Sequence, residues 1–215
     1  MTLRLWSHGQ LDGARALAAR DGYSVVRELW QMRRPLPSQV SSRPGADPLP
    51  DVSLPEGFAT RHFVVGRDED AWLQVNARAF VHHPEQGRMT RQDLDQRIAE
   101  PWFDPGGLIL IEDTRARPPV LAASHWTKVV RAADPRVSPT EGEVYVVGVD
   151  PAYQGLGLGR AVTILGLEYL RVQGLAEAML YVDADNQAAV ATYARLGFTR
   201  GVVDVMYSRV VHPPV

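Results

Sequence analysis

Between Val147 and Arg160 the sequence reads VGVDPAYQGLGLGR, with glycines at alternate positions 155, 157 and 159 directly ahead of a helical pattern. Glycine removes side chains so that main chain can approach a ligand, and the first helical turn presents N–H groups with no acceptor of their own. Gln154, Gly155, Leu156, Gly157, Leu158, Gly159 and Arg160 therefore form a candidate pyrophosphate site, reinforced by the helix dipole and by the arginine. A Walker loop is excluded, because no Gly-Lys-Ser/Thr follows the glycines. A dinucleotide fold calls for GxGxxG in a parallel βαβ unit, with an acidic residue about 20 positions on. Here the spacing is GxGxG, and the strands ahead of the loop follow one another without crossover helices. A glycine-rich turn with no ligand is the alternative that the loop alone leaves open. His82 and His83 beside Glu85 suggest a metal, yet adjacent histidines on extended chain point to opposite sides and no HExxH or third ligand accompanies them. No metal is expected.

The elements that position this loop are legible from periodicity. Residues 57–65 alternate like a strand, Asp68 is placed to cap a helix through Asp70, Trp72, Val75, Ala79 and Phe80, and Thr90 is the N-cap of a second helix. Leu108–Asp113, Pro119–Val130 and Gly142–Asp150 read as three strands of an antiparallel meander. A helix over 157–172 follows, with Ala161, Ile164, Leu165, Tyr169 and Leu170 on one face. Then come a strand at 176–183, a helix at 188–196 stopped by Gly197, and a strand from 198 to 207. The fold class is α/β (α+β), a mixed, mostly antiparallel central sheet flanked by helices.

Three segments organise the chain. Residues 57–211 read as one complete domain. Residues 35–56, PLPSQVSSRPGADPLPDVSLPE, are too rich in Pro, Ser and Gly for regular hydrogen bonding and read as a linker. Residues 1–34 resemble the end of the complete domain: an offset of 175 pairs Ala14 with Ala189, Arg20 with Arg195, Gly22 with Gly197, Tyr23 with Phe198 and Arg34 with Arg209. They are expected to be the remnant of a duplicated domain, structural rather than catalytic; chance similarity of two βαβ-like pieces is the alternative. The net charge of −2, with both signs mixed along the chain, excludes the footprint of a nucleic-acid or polybasic membrane binder. Cysteine is absent, which excludes disulfides and a thiol nucleophile. No apolar run approaches the ~18 residues of a membrane span, so a cytoplasmic protein with a small-molecule partner is expected.

The strand ending in VGVDP, the Gln-x-x-Gly-x-Gly loop, Asn186, Tyr193 and the Gly197-Phe198 pair together resemble the GNAT superfamily of N-acetyltransferases over roughly residues 57–207. The resemblance implies acetyl-CoA as co-substrate. Val147, Gly148 and Val149 would offer main-chain groups to its acetyl-pantetheine arm, and residues 154–160 would hold its pyrophosphate. The helix after Asn186, with Ala188, Ala189 and Val190, would lie against it, and Tyr193 would protonate the departing thiolate. Within the superfamily, HPEQGRMT (83–90), HWTKV (125–129), EVYVVGVDP (143–151) and LYVDADNQAAV (180–190) are similar to the mycothiol synthases, actinobacterial enzymes built from two tandem GNAT domains. That resemblance implies acetyl transfer to the cysteinyl amine of a cysteinyl-glucosaminyl-inositol, with Glu85, Lys128, Glu143 and Tyr181 contacting the substrate. The chain departs from the family in lacking most of the N-terminal domain.

The chemistry has its own logic in the residues. An α-amine of pKa near ~8 needs one proton removed and no strong base. By the period of two, Glu143, Tyr145, Val147 and Val149 share a face, so a carboxylate stands on the strand that meets the acetyl group. Glu143 is expected to act as general base, directly or through water, and an N–H near Val147 to stabilise the oxyanion. A GNAT enzyme for another amine (a protein N-terminus, an amino acid, an aminoglycoside) and an inactive CoA-binding domain remain as alternatives. A monomer or weak dimer is expected, with pairing through the strands of residues 1–34 as the route to the dimer.

Overall fold

The computed structural model describes residues 1–37, 47–81, 83, 86–131 and 140–211. The chain forms two compact units, one of residues 35–178 and one built from residues 1–34 together with 179–215.

In the continuous unit, β3 (Phe58–His62), β4 (Leu108–Asp113), β5 (Val120–Val130) and β6 (Glu141–Val149) pair antiparallel in chain order. The meander is as the periodicity predicts. The β4 sequence LILIED is apolar on both faces because both faces are covered. Leu108 and Leu110 enter a cluster with Trp72, Val75, Leu94 and Trp126, under α2 (Glu69–Ala79) and α3 (Arg91–Ile98). Ile109 and Ile111 enter another with Leu158, Ala161 and Val162 of α4 (Leu158–Val172). Each fully buried side chain of this size contributes about 1.5–3 kcal/mol. In α4, burial is wider than the single stripe expected: Val162, Leu167 and Leu170 are sealed, while Leu165 and Tyr169 sit at the rim.

Helix starts follow local chemistry in one case and not in the other. Thr90 and Asp93 form a reciprocal capping box at the head of α3. Asp68 occupies the N-cap position of α2, but its carboxylate accepts no helix amide. It is held instead by the Arg61 guanidinium and by the Val64 N–H at 2.8 Å, so it ties the helix to β3.

Helix α4 packs close on β5 at Gly166, where a Cβ would overlap the ring of His125. That ring is fully buried, with Nδ1 3.0 Å from the Val162 carbonyl. A carbonyl only accepts, so Nδ1 carries the proton. Nε2 then remains a bare lone pair, with no partner among the described residues.

The discontinuous unit contains β1 (Thr2–Ser7), α1 (Asp12–Arg20), β2 (Ser24–Pro35), β7 (Glu177–Asp183), α5 (Gln187–Arg195) and β8 (Thr199–Val210). The strand order is β1-β8-β2-β7, and β8 pairs antiparallel with both β1 and β2. Adding 175 to each residue number carries α1 onto α5 and β2 onto β8 end to end, and β1 onto the first six residues of β7. The same shift reproduces the register: Ser24↔Ser208 becomes Thr199↔Arg33, Val25↔Tyr207 becomes Arg200↔Met32, and Leu29↔Asp204 maps onto itself. The unit thus has an internal pseudo-two-fold at Leu29 and Asp204, with each half lending its first strand to the other's second. Gly22 and Gly197 both take the left-handed conformation, φ +74° and +84°, and their nearest neighbours are Arg209 and Arg34, themselves images of each other. Residues 1–34 therefore do not fray. Their two strands flank β8.

Much of the Pro-rich stretch, residues 38–46, lies outside the described residues. Its ends are packed: Leu36 is buried and donates its N–H to the Ala176 carbonyl at 2.9 Å, and Leu54 rests on the α4 cluster.

Candidate active site

The loop after β6 is set by a buried aspartate. Asp150 donates its N–H to the Ala122 carbonyl of β5 at 2.9 Å. Its carboxylate accepts the Ala152 N–H at 3.0 Å and the Arg78 Nε of α2 at 2.7 Å. The chain then reverses through Gly155 and Gly157, at φ +80° and +77°, conformations that favour glycine. α4 begins with no side-chain cap. The N–H groups of Gly157, Leu158, Gly159 and Arg160 find no acceptor among the described residues. A Cβ on Gly159 would stand 3.3 Å from Val149, so the helix starts tight against the strand. Gln154, Leu156 and Arg160 are exposed around these amides. A row of unsatisfied donors at a helix N-terminus, with a guanidinium beside it, fits the diphosphate of a CoA-type ligand.

Strand β6 departs from the predicted alternation. Its register with β5 slips between Trp126↔Val146 and Thr127↔Val144, which leaves Tyr145 as an extra residue. Tyr145 and Val146 both join the Trp126 cluster, whereas Val147 and Val149 join the α4 cluster on the opposite face. A Cβ on Gly148 would meet Ala79 of α2 and the Phe80 that follows it, which agrees with the reversal. The expectation that Glu143, Tyr145, Val147 and Val149 share one face is therefore corrected. A bulge breaks the period of two, so Glu143 and Tyr145 lie on one side while Val147 and Val149 lie on the other.

Glu143 is directly opposite Lys128 in the β5–β6 register. Burial raises its carboxyl above the ordinary range, against the pull of the Lys128 ammonium, and Glu141 adds to the rise. The Lys128 Nζ stands 5.0 Å from the Trp102 ring centroid and 5.4 Å from that of Tyr145. The Tyr145 hydroxyl accepts from Arg97 Nε of α3 at 3.1 Å. Sequence reasoning missed this aromatic environment: Trp102 sits in a Pro-flanked loop, EPWFDP, where no periodicity signals its contacts. A cavity of about 650 Å³ opens beside Trp102, among Glu100, Asp104, Arg131 and Tyr169, and contains neither Glu143 nor Lys128.

The remaining expected residues belong to the discontinuous unit, apart from Glu85, which lies outside the described residues. Asn186 caps α5 by accepting the Ala189 N–H at 3.2 Å, so its first task is to hold the helix start. Ala188 is exposed, and Ala189 and Val190 are partly so. Tyr193 packs edge-on to Phe198, with ring centroids 5.8 Å apart. Burial pushes its phenol up to about 12, so it stays protonated at neutral pH. Tyr181 is exposed and its hydroxyl accepts from Gln31 Nε2 at 3.1 Å.

The acetyltransferase (GNAT) family model matches residues 76–198, more than half of the chain. The chain belongs to the GNAT family. Among curated relatives, the mycothiol acetyltransferase of Paenarthrobacter aurescens is 54% identical over 95% of this GNAT chain and 59% of its own length. The mycothiol acetyltransferase of Thermomonospora curvata is 55% identical over 95% of the chain and 63% of its own. The chain thus spans about three fifths of the length of such relatives. Among solved structures, a GCN5-related N-acetyltransferase from Sphaerobacter thermophilus is similar over the whole chain and 61% of its own, with a TM-score of 0.75 at 24% identity. A tandem GNAT protein of the clavulanic acid pathway reaches a TM-score of 0.68 at 19% identity, over 65% of its own length. These likenesses show the GNAT fold, a mixed sheet with flanking helices. Among the described residues, no helix is long and apolar enough to cross a membrane, and no group of three or more His, Asp or Glu side chains is placed to hold a metal.

Proposed function

We propose that this GNAT chain transfers acetyl from acetyl-CoA to the cysteinyl amine of a cysteinyl-glucosaminyl-inositol, yielding mycothiol. The observation that carries the reading is the row of free amides at residues 157–160, at the end of a bulged strand that bears a partly buried carboxylate. Relatives named mycothiol acetyltransferase, at more than half identity over nearly all of the chain, support the substrate.

Acetyl-CoA, when bound, supplies an acyl thioester. Residues 154–160 hold its diphosphate with main-chain donors and Arg160. Val147, Gly148 and Val149 offer main-chain groups to the pantetheine arm, and α5 from Asn186 to Val190 lends its N-terminal turn. Glu143 takes the proton that the amine loses as the N–C bond forms, and its raised carboxyl makes it a better match to an amine than a solvated glutamate. An N–H near Val147 faces the oxygen that gains charge. Tyr193, protonated at neutral pH, gives its proton to the sulfur as the C–S bond breaks. Lys128, Tyr181 and Glu85 contact the sugar and inositol hydroxyls. The enzyme so described is cytoplasmic, needs no metal, and works as a monomer or weak dimer.

Calorimetric titration with acetyl-CoA, followed by CoA release with a panel of amines, tests the reading. Saturable binding and preference for the cysteinyl pseudodisaccharide are expected. Preference for a simple amine would reassign the substrate, and binding without turnover on any amine would leave only a CoA-binding domain. Glu143→Gln should lower kcat/KM about 10²-fold while acetyl-CoA affinity is retained; unchanged kinetics would remove it from the mechanism.

A further inference from the structure

Directly opposite residues in an antiparallel pair share a face, with Cβ atoms about 4.5–5.5 Å apart. Lys128 and Glu143 occupy such a position, and a lysine facing a glutamate there ordinarily closes an ion pair. Here the two charges close none with each other among the described residues. The ammonium lies over two rings instead, 5.0 Å from Trp102 and 5.4 Å from Tyr145. Those rings are fixed from several directions. Trp102 meets Tyr145 edge-on at 5.3 Å and Trp126 at 5.7 Å, and Tyr145 meets the sealed Trp126 at 5.5 Å. Arg97 donates to the Tyr145 hydroxyl from Nε and to the Asp93 carbonyl from Nη1, so the phenol is tethered to the last turn of α3.

We propose that Trp102 and Tyr145, with Arg97 as tether, are positioning residues that hold the Lys128 ammonium off the Glu143 carboxylate and present it to the amine substrate. Ring faces attract the charge without consuming a hydrogen-bond acceptor, so the three ammonium donors stay available for hydroxyl or carbonyl oxygens. The same separation leaves Glu143 with no direct ion pair among the described residues, so its carboxylate accepts a proton more readily than one closed onto a lysine. The cradle therefore selects substrates that carry oxygen atoms near their amine, as a polyhydroxylated amine does and a simple alkylamine does not. This inference rests on the acetyltransferase reading, with Lys128 as a substrate contact.

The test is a set of variants in the full chain: Trp102→Leu, Trp102→Phe, Tyr145→Phe, Lys128→Met and the double variant Trp102→Leu/Lys128→Met. Trp102→Leu should raise KM for the amine about tenfold and leave KM for acetyl-CoA unchanged, while Trp102→Phe, which keeps a ring, stays within about threefold of wild type. In the Lys128→Met background, Trp102→Leu should add less than about twofold, because the group it positions is gone. Equal rises in both KM values, or effects that multiply in the double variant, would overturn the proposal. Tyr145→Phe breaks the Arg97 tether without removing the ring and guards against a folding artefact; a small rise in amine KM alone is expected, and no change would exclude Arg97 from the device. A readout independent of turnover separates this inference from the reading beneath it. The Lys128 εCH2 resonance should lie upfield of the ordinary lysine position in wild type and return toward it in Trp102→Leu. An ordinary position in wild type would sink the cradle even if the enzyme is active. An upfield position in a protein that acetylates no amine would uphold the stacking while the acetyltransferase reading, and with it the substrate-presenting role of the cradle, fell.

Discussion

His125 offers a quantitative test of how β5 and α4 are packed. Its ring is sealed between the strand and Gly166, with Nδ1 donating to the Val162 carbonyl and Nε2 without a partner. Protonation would put an N–H on Nε2 with nothing to receive it, and burial accordingly lowers the imidazole from 6.5 to about 4. Above pH 6.5 both folded and unfolded states hold the ring neutral, so the group has no effect on stability there. As pH falls through 6.5 the unfolded chain gains a proton that the folded chain refuses, and stability is lost until about pH 4, below which both states are charged. The linkage amounts to about 1.4 kcal/mol by pH 5.5 and about 2.5 kcal/mol by pH 4.5. Urea unfolding followed by tryptophan fluorescence at about pH 7.5, 5.5 and 4.5 reads this out, since Trp126 is the next residue in the strand. His125→Leu removes the titrating group and leaves every other carboxylate and histidine in place. The difference between wild type and variant should therefore move by those amounts in favour of the variant as pH falls. Parallel stability curves would refute the sealed, neutral imidazole and the close α4–β5 approach from which it follows.

Gly166→Ala drives a methyl into that ring and should destabilise by about 1–3 kcal/mol despite alanine's better helix propensity; a melting temperature unchanged or raised would count against the contact. In Gly157→Val the side chain has open space but the backbone sits at φ +77°, so about 1–2 kcal/mol of local strain is expected, and acetyl-CoA affinity, read by calorimetry, should fall about tenfold or more as the loop amides lose their alignment. Thr90→Ala deletes one arm of the α3 capping box and should cost about 1 kcal/mol in urea unfolding at neutral pH, with no change in acetyl-CoA affinity.

What the sequence disclosed divides along the line between local and tertiary causes. LILIED is bounded as expected because its apolar run, bracketed by Gly107 and Thr114, leaves no other solution. The turn from β6 into α4 was legible for the same reason: only glycine serves at two left-handed positions ahead of a helix. The offset of 175 was visible because Gly22-Tyr23 and Gly197-Phe198 punctuate both segments, and the β2–β8 register is symmetric under the same offset. The β6 faces were misjudged because the bulge at Tyr145 arises from pairing with β5, and no periodicity within 141–149 contains it. Asp68 was given a capping role by its spacing, but Arg61 on the neighbouring strand claims the carboxylate first. Trp102 and Arg97 drew no notice because their partners are other side chains far along the chain. Tyr193 was singled out by resemblance, and the burial that raises its phenol comes from tertiary packing that no local pattern announces.

The exchange of first strands between the two halves of the discontinuous unit constrains the order in which the protein can be made. β2 can pair with β7 once residues 177–183 are made, but β1 has β8 as its neighbour and must wait until residues 199–210 leave the ribosomal exit tunnel. Met1 and Val211 exchange main-chain hydrogen bonds at 3.0 and 2.8 Å, so the pairing of β1 with β8 holds like a clasp. Synthesis of residues 35–178 intervenes, so that unit can be finished while β1 is still waiting, and its pairing with β8 comes as a late, non-local step.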